Sequence, residues 1–580
     1  MKKNIILSAT LIISLSVISC NEDFLEKPPS VDVTEDIIFS KMAETETFVA
    51  GTYKLSIPYG YPADYGAQHG INQRVYGGIL AGICDEAEMG NGWTSAHDWN
   101  NGAITPNAIM SEEDDRFEQR WRAVRRCNIL MERVGTVPDA TEEYKNQVKG
   151  EAHFIRALLY FETVKRYGGI PILSSRLNPG DELLLPRRSL KACIDFIVDD
   201  CDMAISLLPA TQPSNMRGRA HKGAALALKA RTLLYAASPL FNSATPYLDF
   251  SGNDSLICYG NYDKNRWQLA ADAAKATLDW ASSNGCSLVD GYGIDRNYLM
   301  VTEEQDNKEI ILANKAFAGI GQWDNNTYGI ITPKFARGWS NGGVSVPLNF
   351  IKFYEKKDGT KQDWKLEGGN NLLQMYAELD PRFKQTIAYH KSPWNQHIGI
   401  LNMVDGSVHR NFCPGSHWMH KTIPTDLLWD AIIMNWIVFR LGEVYLNYAE
   451  ALNEAGTGPD PKAYDAVNLI RARSGMPPLP SGLDQAQFRD RLRNERAVEL
   501  SFEEHRFWDI RRWKIAGQDG IMKGDFYGLS ITPVGEGSSE FKYLPTVFET
   551  RVWYDKMYLH PFPIGEIYKG YLVQNPGWQE

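Results

Sequence analysis

Two stretches gather side chains able to recognise a polyhydroxylated ligand. They are Asn91-Gly92-Trp93-Thr94-Ser95-Ala96-His97-Asp98-Trp99-Asn100-Asn101 and Gly321-Gln322-Trp323-Asp324-Asn325-Asn326. An indole offers a flat apolar face with little rotamer freedom to lose. Asn, Asp, Gln and Arg beside it can meet adjacent hydroxyls in pairs. Together these suit the C–H face and hydroxyl edge of a pyranose. The glycines and asparagines mark both stretches as loop. Any one tryptophan could instead plug its loop onto a scaffold, but several exposed rings without a task would cost solubility.

Three other clusters offer different chemistry. His409, Cys413, His417 and His420 place four potential metal ligands within twelve residues. Their spacing matches no standard zinc pattern, and Pro414-Gly415 implies a turn. Asp85, Glu86 and Glu88 follow a glycine-rich run. A glycosidase needs two carboxylates roughly 5 Å, or 6.5–9.5 Å, apart across a cleft. A chain with 71 acidic residues can supply such a pair without any catalytic motif. Arg496, Glu499, Glu503, Glu504, His505, Arg506, Asp509, Arg511 and Arg512 alternate in sign at helical spacing. With Phe507, Trp508 and Trp513 they read as an ion-paired seam locking the last helices to the body, in preference to an anion site.

The elements that must hold these residues are mainly helical. Apolar periodicity predicts helices over 36–56, 114–134, 142–167, 190–208, 219–237, 266–282, 432–455, 461–473, 485–503 and 505–513. The third ends at Gly168-Gly169 and Pro171, a well-formed stop. Alanine dominates the fifth (Ala224, Ala225, Ala227, Ala230) and sixth (Ala270, Ala271, Ala273, Ala274). Small side chains let neighbouring helices approach closely, as in stacked helical hairpins, although no strict 34-residue period survives. The stretches 58–111, 285–424 and 514–561 break the pattern. Loops of that length are rare unless they serve a function, and short strands and ordered turns are expected there.

A net charge of −10 argues against nucleic acid, whose phosphates want a basic surface. Eight cysteines show no disulfide framework. Cys193 and Cys201, eight apart on one helix, lie about 12 Å apart along its axis, beyond the reach of a bridge. Buried free thiols are the expectation. Met1-Lys2-Lys3 and the apolar run to Ile18 read as a secretory signal too short to span a bilayer. Val17-Ile18-Ser19-Cys20 has the pattern of a lipoprotein signal, in which the Cys20 thiol is acylated. A signal peptide over 1–19 and a polar tether over 20–35 follow.

These segments, taken in order, are similar to the SusD/RagB family of outer-membrane glycan-capture lipoproteins. The resemblance is carried by CNEDFLEKPP, RCNILMERV, GEAHFIRALLYFETVKRYGGIPIL, GRAHKGAALALKARTLLYAASPLF, FRLGEVYLNYAEALNEAG, YDAVNLIRARSGMPPL, RNERAVELSFEEHRFWDIRRWK and YLHPFPIGEIYKGYLVQNPGW. It implies one domain over 20–580. The expected fold is mostly α: a tetratricopeptide-like superhelix of about four helical hairpins, with loop-rich insertions carrying short strands. It implies a ligand site built from insertions near 58–111 and 285–424, here Trp93, Trp99, Asn100, Trp323 and Asn326, with Arg74 and Tyr298 at the rim. It implies no catalysis, no cofactor, and a partner TonB-dependent (SusC-like) outer-membrane barrel that receives the captured glycan. The acidic pair Glu22-Asp23 after the lipid cysteine fits export to the cell surface, anchored by lipid alone. A scaffold that braces the barrel and contacts a protein or peptide is the alternative. A glycoside hydrolase is a third reading. Oxygen ligands in 249–263 leave structural calcium open, without an ordered calcium-loop pattern.

Overall fold

The structure, a computed structural model, describes residues 34–56, 75, 78–113, 117–314, 317–318, 331–336, 342–423, 432–433 and 436–578. Cys20, Arg74, Trp323 and Asn326 lie outside these residues.

Nine helices build the scaffold: α1 Met42–Ser56, α2 Phe117–Arg133, α3 Glu142–Tyr167, α4 Leu190–Leu207, α5 Lys222–Ala237, α6 Asn265–Ser283, α7 Leu441–Ala455, α8 Pro461–Arg473 and α9 Gln485–Glu499. A short α10, Arg506–Arg512, follows. Each scaffold helix from α1 to α8 packs on the next in the series, and α9 packs back on α7. That is the stacked-hairpin arrangement expected from the sequence, and the helical class is as read.

Local chemistry explains the boundaries. Thr141 caps α3 by accepting from Tyr144 N, and Gly168 ends it at φ 75°. A Cβ on Gly168 would stand 2.5 Å from the Leu256 carbonyl, so this turn needs glycine twice over. Asp484 and Gln487 form a reciprocal capping box at the start of α9. The alanines of α5 and, apart from Ala276, those of α6 are buried, and Gly223 brings α5 against the Trp280 ring of α6.

Besides two short strands that pair with each other, Phe317–Ala318 and Ile432–Ile433, eight strands among the described residues sit outside the stack: β1 Glu88–Met89, β2 Ile310–Asn314, β3 Val344–Ser345, β4 Ile387–Ala388, β5 Trp418–Met419, β6 Trp436–Arg440, β7 Gly524–Pro533 and β8 Phe541–Arg551. β1, β3, β5 and β4 form a four-stranded sheet in that order. It joins the first insertion to the second through Glu88↔Ser345, and Ser345↔Trp418 extends it within the second. β2 pairs antiparallel with β6.

Two expectations need correction. Residues 432–433 and 436–440, read as the start of the 432–455 helix, are strand. Trp436-Ile437-Val438-Phe439 is β-branched and aromatic, and pairing with β2 overrides the helical period running into α7. The 514–561 region carries a long hairpin, β7 with β8, in place of short strands.

All seven cysteines from Cys84 onward are free thiols, six of them buried. Among the described residues no helix is long and apolar enough to cross a membrane.

Candidate functional site

Trp93 stands on a turn between β1 and the short helix Ala96–Asn100, and 39% of it faces solvent. The turn is clamped from below. Glu88 of β1, 3% exposed, accepts at Oε2 from Asn100 Nδ2 and Arg551 Nη2, both at 2.8 Å. His97 Nδ1 lies 3.0 Å from the other carboxylate oxygen, and His97 Nε2 is 3.2 Å from the Asn91 carbonyl. Arg551, at the end of β8, also donates to the carbonyls of Cys84 and Ala87. Val552 N donates to the Asn100 carbonyl at 2.9 Å. The base of the Trp93 turn is thus held by the C-terminal hairpin, more than 400 residues away along the chain.

A β-bulge between Val547 and Glu549 aims the Glu549 carboxylate at Arg551 Nε, 2.9 Å away. Burial raises Glu549 to about 7, and Glu88 opposite adds to the rise against the pull of Arg551. Burial also pushes Glu88 up, but His97 and Arg551 outweigh it and hold Glu88 below the ordinary carboxylate range. The bond to Glu88 raises His97 against the opposing effect of burial. Glu88, His97 and Glu549 bring three potential metal-ligand atoms within 4.8 Å of one another. Arg551 already bonds both carboxylates, so a guanidinium supplies the countercharge that a metal ion would.

The second wall comes from the large insertion. Gly90 N donates to the Gly343 carbonyl at 2.8 Å. A Cβ on Gly90 would lie 2.9 Å from the Phe412 carbonyl. Phe412, in left-handed backbone at φ 63°, shows 42% of its surface to solvent beside this contact. Two half-exposed aromatic residues, Trp93 and Phe412, therefore stand on abutting loops. Phe412 was missed from sequence, since a lone aromatic beside Asn411 carries no periodic signal.

Three expected ligand contacts are corrected. Trp99 is fully buried, edge-on to Phe507 at 5.6 Å and 5.1 Å from His560. It sits on the inward side of the Ala96–Asn100 helix, whereas Trp93 stands on the turn before that helix. Asn100 is also buried and orients Glu88, donating besides to the Gly82 carbonyl at 3.1 Å. Tyr298 lies in the interior, its hydroxyl accepting from Lys421 Nζ at 2.6 Å, with burial raising its pKa. None of the three offers a face to a ligand in solution.

The remaining clusters resolve into structure. Asp85 pairs with Arg506, and the Glu86 carboxylate accepts from Phe502 N at 2.8 Å; burial raises Glu86 to about 8. His409 accepts from Asn402 N, His417 bonds Tyr376 and the Gly415 carbonyl, and His420 packs on Trp394. The Cys413 thiol donates to the His417 carbonyl, and burial raises it to about 12. His409, Cys413 and His417 thus each have hydrogen-bond partners, while His420 Nε2 is buried without one. In 249–263, Asp249 and Asp263 accept from nearby backbone N–H groups at turns.

A stack of helical hairpins that displays aromatic loops on one insertion-built wall defines a scaffold-type binding protein. Comparison with known sequences gives the family. The SusD family model matches residues 308–578, and a second model, described as starch-binding and associating with the outer membrane, matches residues 78–234. The chain belongs to the SusD/RagB family. It is similar to a SusD-like protein of Bacteroides fragilis of known structure, with 29% identity and TM-score 0.76, covering 95% of this chain and all of that one. A SusD-like protein of Formosa agariphila is 25% identical over 532 residues, covering 88% of this chain and 90% of the relative. A laminarin-binding SusD-like protein shares the fold at TM-score 0.60 and 20% identity, covering 93% of this chain and all of that one.

Proposed function

We propose that this protein is a non-catalytic, lipid-anchored outer-membrane protein that captures an oligosaccharide at the Trp93 turn and passes it to a TonB-dependent barrel. One observation carries the site: the Trp93 ring is exposed while Glu88, Asn100 and Arg551 at the base of its turn are held by mutual hydrogen bonds. A stacking platform that does not reorganise loses little entropy on binding. The family supports the glycan, as do its carbohydrate- and laminarin-binding relatives. The lipid anchor rests on the Cys20 signal pattern. The absence of catalysis rests on the family resemblance and on Asp85, Glu88 and Glu549, which are bonded to Arg506 and Arg551. Delivery to the barrel rests on the family resemblance.

Affinity electrophoresis against a panel of polysaccharides tests this. At least one should retard the wild-type protein. Trp93→Ala should weaken that interaction about tenfold, the scale of one lost aromatic stacking contact. If no polysaccharide binds, or if the variant binds as well as wild type, the platform reading fails.

A further inference from the structure

A second cleft, remote from the Trp93 turn in sequence, opens between the scaffold helices. Its volume is about 490 Å³, within the range of small-ligand sites of roughly 300–1,000 Å³. Its walls come from the end of α5, the start of α6, one face of α7, one face of α9 and the residues after α10. Tyr262, 60% exposed, stands at the rim, while the Trp267 and Trp513 side chains are almost wholly buried in the wall.

The charges in this cleft do not balance. Glu450 accepts from Arg512 at 2.6 and 2.7 Å and from Trp513 Nε1 at 2.7 Å. Burial pushes Glu450 up, but Arg512 prevails and holds it at about 2. Glu454 takes two bonds of 2.6 Å from Arg489. Both acids are therefore neutralised by other cations. Arg493 and Lys514 are left, and among the described residues neither makes an ion pair. Arg493 lies over the Trp513 ring at 4.8 Å, and its Nε is buried without a hydrogen-bond partner. Burial lowers its pKa, as befits a guanidinium whose charge is not met by a bonded carboxylate. A buried donor of this kind costs free energy until an acceptor arrives.

We propose that this cleft binds an anionic sugar unit, with the carboxylate of a uronate or a sulfate ester held by Arg493 and Lys514. Tyr262 at the rim offers the ring face. The fork of Arg493, pre-oriented on Trp513, suits a planar or tetrahedral oxyanion. The site is independent of the Trp93 platform and would let one chain hold a charged glycan at two points.

Calorimetry on the full chain tests it with three probes of equal length: oligogalacturonate, sulfated galacto-oligosaccharide and neutral galacto-oligosaccharide. At least one anionic probe should bind more tightly than the neutral one, and added salt should weaken that binding. Which anionic probe binds separates carboxylate from sulfate. Arg493→Met, which keeps the stem on Trp513, should cost at least about tenfold in affinity for that probe, whereas Trp93→Ala should leave the heat of this site in place. Should Arg493→Met fail to fold, Lys514→Gln at the exposed edge should still weaken binding about threefold. Equal binding of all three probes, binding of none, an unchanged affinity in the cleft variants, or loss on Trp93→Ala would each overturn the assignment. Failure of the Trp93 platform alone would leave this site standing.

Discussion

At the scale of single residues, the Trp93 turn rests on two carboxylates and two cations whose titration is linked. Glu549 is raised to about 7, so the folded chain keeps a proton that the unfolded chain releases above about pH 4.5. Stability from this group is present at low pH and declines as pH rises from about 4.5 through 7. His97, raised by Glu88, works in the same direction: its contribution is complete below its unfolded value and is lost as pH rises through the folded one. Glu549→Gln should therefore gain on the order of 1–3 kcal/mol over wild type at pH 8 and little at pH 5. Thermal unfolding of both proteins across that range measures the difference. An equal gap at both pH values would show that the carboxyl does not titrate in this window. The exposed Trp93 and the buried Trp99 lie six residues apart and look alike in sequence. Only the short helix that carries Trp99, invisible in composition, takes that ring in, while the turn before it leaves Trp93 exposed.

At the scale of elements, the helices were legible and the loops were not. Helix α3 could be read to the residue, because Gly168-Gly169 and Pro171 mark its end and its apolar positions keep one period. Strand β6 could not, because a β-branched run leading into a helix has both signatures and only its pairing with β2 decides. Strands β1, β3, β4 and β5 are two residues each, shorter than any periodic pattern. Only pairing defines them: β1 meets β3 from another insertion, while β5 pairs with β3 and β4 inside its own. Tyr298 and Asn100 look like contact residues in sequence because polarity alone does not reveal that Lys421 and Glu88 wait inside to satisfy them. The turn after α3 gives a direct check. Gly168→Ala would force a Cβ toward the Leu256 carbonyl in left-handed backbone. A loss of roughly 2–4 kcal/mol is expected from strain plus contact. Urea unfolding should show a lower midpoint at an unchanged slope; an unchanged midpoint would mean that the turn relaxes freely.

At the scale of the whole molecule, a buried ion network joins the large insertion to the C-terminal helices. The cations are Arg382, Lys421, Arg440, Arg471, Arg473 and Arg491; the acids are Glu309, Glu355, Asp380, Glu495, Glu499 and Glu503. Arg440 alone reaches Glu309, Glu499 and Glu503 at 2.7–2.8 Å. The seam read from sequence is real. However, most of its bonds run between elements, while Arg512 to Asp509 is a within-helix pair. Arg440→Met leaves three acids short of a partner and should cost about 3–5 kcal/mol, read as a large drop in thermal midpoint. A drop of less than 1 kcal/mol would show that water or neighbouring bases replace it. The network also limits how new specificities can be installed. A designer who transplants residues 342–423 from a cousin would carry off Glu355, Asp380, Arg382 and Lys421 together. Arg471, Glu495 and Glu503 would then face strangers, so a successful chimera must exchange both halves of the electrostatic lock at once.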